Sequence, residues 1–302
     1  MKTPPACRPG VLPLVAAISG LMSVSSQAIL LVQESFSGYN NAANLGGQAG
    51  LGTGFTGNWE SISNATYDAL HRTGASGLTF NGIASSGGAL PFASAQTRLT
   101  GVALNLSSVP SAGSTLYSSY LVNLTTLGGA DSGVGIRISS VSATSTTVHG
   151  GTFADSRAND TVGIAYDGTF NPAVTATGTT PLATGQTYLI VSSYTNINNG
   201  ATSGTATLYA FNQAQYASFL GSGNTFADYV AAASIGQGAN QIWGSSSQTA
   251  AFDNTMDNSD YFQILTRTTT GTIDEIRYGT SFADVLPIPE PSLALLSVTG
   301  LI

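Results

Sequence analysis

Short apolar runs with a period of two, broken at regular spacing by Gly, Ser, Asn and Thr, are what most constrain the fold of this chain. Val134-Gly135-Ile136-Arg137-Ile138 sets apolar residues against small or charged ones, the pattern of a strand with one buried face. Ser114 to Leu124 alternates in part, with Leu116, Tyr120, Val122 and Leu124 as the inward positions. Leu30 to Phe36, Thr161 to Tyr166, Tyr261 to Leu265 and Thr272 to Tyr278 read as further strands. Thr187 to Tyr194 and Gly204 to Phe211 form a hairpin across Asn198-Asn199-Gly200. Helix is confined to two short stretches, Gln213 to Leu220 and Phe226 to Ala233. Many short strands without helical alternation predict an all-β antiparallel sandwich, and the absence of a fixed repeat argues against a solenoid or propeller.

Charge excludes one class of partner. Only 8% of the 302 residues are charged and the net charge is −7. Beyond residue 28 six Arg and no Lys face fifteen acids, so no basic surface can be assembled to neutralise phosphates, and nucleic acid is not a partner. With 42% hydrophobic residues the chain has ample material for a core and is not a disordered one.

The two ends read as addresses. Lys2 and Arg8 precede an apolar run from Val11 to Met22, followed by Ser26 and Ala28 at the −3 and −1 positions of a cleavage site. Residues 1–28 are therefore expected to be a signal peptide, cut between Ala28 and Ile29 by signal peptidase. The single cysteine, Cys7, lies in that segment, so residues 29–302 can form neither a disulfide nor a cysteine metal site. At the other end Pro289-Glu290-Pro291 is followed by Ser292 and the apolar stretch from Leu293 to Ile302. This arrangement resembles the PEP-CTERM sorting signal of Gram-negative bacteria, in which a Pro-Glu-Pro motif precedes a membrane helix and a basic cluster. The resemblance implies processing by an exosortase in polysaccharide-producing, biofilm-forming cells. Here the eleven residues after Pro291 would span only about 16 Å as a helix against about 30 Å of bilayer core, and no Arg or Lys follows them. Membrane contact is expected through the terminal segments alone.

Between these ends, residues 29–286 read as one domain. The stretch Asp274-Glu275-Ile276-Arg277-Tyr278-Gly279-Thr280-Ser281-Phe282-Ala283-Asp284-Val285 resembles the closing strand of LamG-like, concanavalin A-like domains. Glu34-Ser35-Phe36 leading to Gly54-Phe55-Thr56-Gly57-Asn58-Trp59 resembles their opening, and the Tyr188–Val191 and Thr205–Tyr209 pair their central hairpin. The resemblance implies a double-sheet jelly roll with short helical turns, and it carries no activity with it.

Catalytic constellations are scarce. The four Glu are Glu34, Glu60, Glu275 and Glu290, none in a glycosidase strand signature. Asp274 and Glu275, adjacent on a strand, are expected to point to opposite faces near a sheet edge, with Arg277 pairing Glu275. His71 and His149 are the only histidines and accompany no nucleophile elbow; His149-Gly150-Gly151 reads as a turn. The best cation candidate is the acidic stretch 253–260, where Asp253, Asn254, Asp257 and Asp260 could supply oxygens to calcium without matching an EF-hand. A solvated loop is the plainer reading. Trp59 and Trp243 are the two tryptophans; Trp243, with the amides of Asn240 and Gln241 beside it, is the candidate ring for stacking on a sugar, the alternative for both being burial in the core.

The sequence thus points to an exported, non-enzymatic component of the cell surface or the extracellular matrix, sorted through its C-terminal motif. The alternative is a lectin-like carbohydrate-binding module using calcium, with extracellular polysaccharide as partner.

Overall fold

The computed structural model describes residues 29–40, 43–61, 73–74, 76–80, 87–93, 98–128, 133–139, 142, 147–156, 161–169, 176–177, 182–199, 206–220 and 256–286. The strands among them, in chain order, are β1 (Leu30–Glu34), β2 (Phe55–Ser61), β3 (Leu90–Ala93), β4 (Arg98–Leu104), β5 (Ser114–Thr126), β6 (Gly133–Ser139) and β7 (Thr147–Ser156). They continue with β8 (Thr161–Thr169), β9 (Ala176–Thr177), β10 (Thr187–Ile197), β11 (Ala206–Phe211), β12 (Tyr261–Arg267) and β13 (Thr270–Gly279). Two short helices accompany them, α1 (Gln213–Leu220) and α2 (Phe282–Val285). The stretch 226–233, expected to be helical, lies outside the described residues.

The architecture is an antiparallel double-sheet jelly-roll sandwich. One sheet runs β1-β13-β5-β10-β11, with β3 also paired to β13; the other runs β2-β4-β12-β6-β7-β8-β9. Leu116, Tyr120, Val122 and Leu124 of β5 face Val134, Ile136 and Ile138 of β6 and Phe262 and Ile264 of β12 in one inter-sheet core. An aromatic cluster bridges the two layers. The Phe262 ring lies 5.5 Å from Phe55, 6.0 Å from Trp59 and 6.0 Å from Tyr278, mostly in edge-on or tilted contact. Trp59 is thereby a core residue.

The six-stranded sheet is also covered on its outer side. Leu121, Leu189, Val191, Tyr209 and Phe211 pack there against Tyr216 of α1, Phe282 and Val285 of α2, and Phe80. The helix α2 is closed by a capping box: Ser281 N donates to Asp284 Oδ2 at 2.9 Å and Asp284 N to Ser281 Oγ at 3.3 Å. Gly279 leaves the room, since a Cβ there would meet the Asp284 Cβ at 2.4 Å. Among the described residues no helix is long and apolar enough to cross a membrane.

Two local expectations fail. His149-Gly150-Gly151 is not a turn but the interior of β7, paired through Gly150 and Gly151 to Ile138 and Arg137. Nor do Asp274 and Glu275 point to opposite faces near an edge. Their strand, β13, lies between β5 and the β1/β3 pair, and its register against β5 slips between Asp274 and Arg277. Glu275 takes up the slip at φ +48°, a bulge that breaks the period of two. Ile273 and Ile276, three residues apart, both enter the core, while Asp274 turns to Leu78 and Glu275 to Arg277 on the outer side. The Arg277–Glu275 pairing itself holds, at 3.3 Å.

Candidate functional site

The face of the seven-stranded sheet turned away from the core carries a polar row assembled from five strands. Successive registers align Glu60 of β2 with Gly101 of β4, Gly101 with Gln263 of β12, Gln263 with Arg137 of β6, and Arg137 with Gly151 of β7. These positions alternate with the core residues Phe262, Ile264, Ile136 and Ile138 and so belong to the opposite face. Arg137 Nε donates to Gln263 Oε1 at 2.6 Å, and Gln263 Nε2 donates to the carbonyl of Ser142 at 2.8 Å. Both side chains are fully shielded from water, while Glu60 at the end of the row is exposed. Burial, with the charge of Arg267 adding to it, pushes the Arg137 guanidinium down to about 9. Along the same face Leu99 packs on Leu265. Sequence reasoning put Arg137 on the polar side of its strand but did not single out the row. Its members are scattered over two hundred residues, and only strand register brings them together.

A second polar assembly lies where the first and last strands meet. Glu34 ends β1 opposite Ile276 of β13, and its carboxyl accepts Phe36 N at 2.6 Å and the Tyr39 hydroxyl at 2.6 Å. Tyr39 in turn accepts Leu51 N and Trp59 Nε1, each at 2.9 Å. Asp274 of β13 accepts Leu78 N and Glu275 N, both at 2.7 Å. Burial raises Glu34 to about 7 against the pull of its donors; burial likewise raises Asp274 to about 7, with repulsion from Glu275 and Glu34 adding to it.

The acidic stretch 253–260 is only partly described. Asp257 Oδ1 accepts Ser259 N and Ser259 Oγ, Asp260 Oδ2 accepts Asp257 N, and Asn258 Oδ1 accepts Leu106 N, so these side chains brace a turn. Asp253 and Asn254 lie outside the described residues, as do Trp243, Asn240, Gln241, Ala28, Pro289, Glu290 and Pro291. Among the described residues no group of three or more His, Cys, Asp or Glu is placed to hold a metal ion. Ile29 is described: its N donates to Thr280 Oγ1 at 3.2 Å and its carbonyl accepts Thr280 N at 3.1 Å.

No family model and no curated protein matches the chain. Among solved structures it is similar to a carbohydrate-binding module, CBM66 from Bacillus subtilis, at 11% identity, covering 79% of this chain and 99% of that one with a TM-score of 0.38. Winged bean acidic lectin complexed with methyl-α-D-galactose is similar at 9% identity, over 82% and 98% of the two chains, with a TM-score of 0.41. The PL-14 alginate lyase from Aplysia kurodai is similar at 10% identity, over 70% and 87%, with a TM-score of 0.41.

Proposed function

We propose that this is an exported, non-enzymatic protein of the cell envelope surface or extracellular matrix, with a jelly-roll body spanning residues 29–286. Signal peptidase would release it at Ala28–Ile29, and an exosortase would act at Pro289-Glu290-Pro291. The observation that carries the reading is the double hydrogen bond between Ile29 and Thr280, which closes the body on itself. The first residue of the body is thereby held beside the end of its last strand, a layout suited to a body displayed on a single C-terminal attachment. Its low charge and its wealth of Ser, Thr, Asn and Gly suit an outer surface of hydroxyls and amides lying against extracellular polysaccharide.

The second reading, a carbohydrate-binding module that uses calcium, is favoured by the amides of Asn240 and Gln241 flanking Trp243. One experiment separates the two. The full chain and a chain lacking residues 289–302 are fractionated from an exporting host, and the purified full chain is titrated against a polysaccharide panel with calcium and with chelator. Display predicts that the deletion changes envelope retention or processing; unchanged fractionation removes the sorting reading. Saturable binding to one glycan, weakened by Trp243→Ala, would put the module first, and loss under chelation would put calcium in its site.

A further inference from the structure

The hydrogen bonds around Glu34 form a closed account of donors and acceptors. A phenolic oxygen has one proton to give and two lone pairs. Both lone pairs of Tyr39 are taken, by Leu51 N and Trp59 Nε1, so its proton goes to Glu34 Oε2 at 2.6 Å. The other carboxyl oxygen accepts Phe36 N at 2.6 Å, and the backbone N–H groups of Gly52 and Ser35 also donate to the carboxyl. Each of these neighbours is a donor. A carboxylate satisfies all of them, whereas a protonated carboxyl carries a proton that finds no acceptor in this set and must displace one donor.

We propose that Glu34 is a proton-operated latch: ionised, it completes the chain of hydrogen bonds from β1 through Tyr39 to Trp59, and protonated, it breaks that chain at Tyr39. The segment it holds, residues 35–54, carries Leu51, whose side chain is 54% exposed. Proton uptake thereby changes how one edge of the sandwich is held.

The latch operates near neutrality because burial drives Glu34 up to about 7 while the donors pull it back. The charged and titratable groups around it are few. On β13 these are Asp274, which repels it, and Glu275, which is engaged by Arg277 at 3.3 Å; on the neighbouring loop there is Tyr39 itself; on β2, Glu60 is exposed beside Trp59.

The test follows the two indole N–H resonances of the 15N-labelled full chain from about pH 5 to about pH 9, with Trp243→Phe assigning that of Trp59. The Trp59 resonance is expected to shift with a midpoint near 7, to stay fixed in Glu34→Gln, and to keep shifting in Asp274→Asn. A Trp59 resonance that stays fixed in the unaltered chain, or that titrates equally in Glu34→Gln, overturns the latch. Should Glu34→Gln fail to fold, Tyr39→Phe removes the link and leaves the carboxyl. An indole that is insensitive to pH in that variant supports the latch, and an unchanged midpoint there overturns it.

Discussion

At the scale of single residues, the face of the seven-stranded sheet shows how an absent side chain makes room for a charged one. Arg137 lies across β7 at Gly151, where a Cβ would come within 2.7 Å of the Arg137 Cβ and 2.9 Å of the Ile136 carbonyl oxygen. Neither obstacle is the far end of a flexible chain, so the backbone has to yield. Gly151→Ala is expected to cost about 1–3 kcal/mol of stability, the usual size of overpacking, measured as a drop in the urea midpoint at unchanged slope. A loss below about 0.5 kcal/mol would mean that the two strands separate freely and that the close approach is not needed. The same residue explains a misreading. Gly150-Gly151 has the composition of a turn, and nothing local tells a glycine that bends the chain from one that lets an arginine from another strand pass.

At the scale of elements, β13 does the most with its ten residues. It pairs with β1, β3 and β5, carries Ile273, Ile276 and Tyr278 into the core, and through its bulge sends two carboxylates to the other side. Asp274 is fully buried, and its pKa is raised from 3.8 to about 7, first by burial. The folded chain thus keeps a proton between about pH 4 and pH 7 that the unfolded chain gives up. Its contribution is full in acid and is lost as pH rises toward 7, on the order of 4 kcal/mol for this group. Glu34 acts in the same sense: ionisation completes its local hydrogen bonds, yet burial makes the ionised fold the costlier one overall. Asp274→Asn should flatten the fall in stability between about pH 5 and pH 8 and leave the part due to Glu34. Urea unfolding at the two pH values checks this, and an unaltered slope would sink it. The strand β6 was legible because the alternation of Val134, Ile136 and Ile138 reports the buried face directly, and β5, β10 and β12 because their β-branched and aromatic runs are bounded by turn residues. The bulge was not legible, since alternation presumes an even pleat and Glu275 is an ordinary residue in a left-handed conformation. The polar row was hidden for a different reason: each member is unremarked alone, and the registers that align them join strands far apart in sequence.

At the scale of the whole molecule, the first and last strands of the described body lie side by side. Among the described strands, consecutive ones pair only in the β6–β7–β8–β9 run and the β10–β11 hairpin, and the six-stranded sheet is completed only when β13 arrives between β1 and β5. Such topologies bear the full entropy of long loop closure before they gain contacts. A chain stopped after Thr269 should therefore show no cooperative unfolding transition by circular dichroism, although it keeps twelve of the described strands and only β1 and β3 lose their pairing partner. A sharp transition in that fragment would show that β5, β10 and β11 pack on the other sheet without it.

The Ile29–Thr280 contact also has a mechanical meaning. Because β1 and β13 are antiparallel and meet at that end, tension applied between residues 29 and 286 would peel the two strands apart one bond at a time, starting there. Tension applied to residue 286 alone, against drag on the body, loads β13 lengthwise, with ladders on both of its sides sharing the force in shear. A sandwich tethered by its C-terminal end would therefore withstand pulls that would unzip the same sandwich held at both ends.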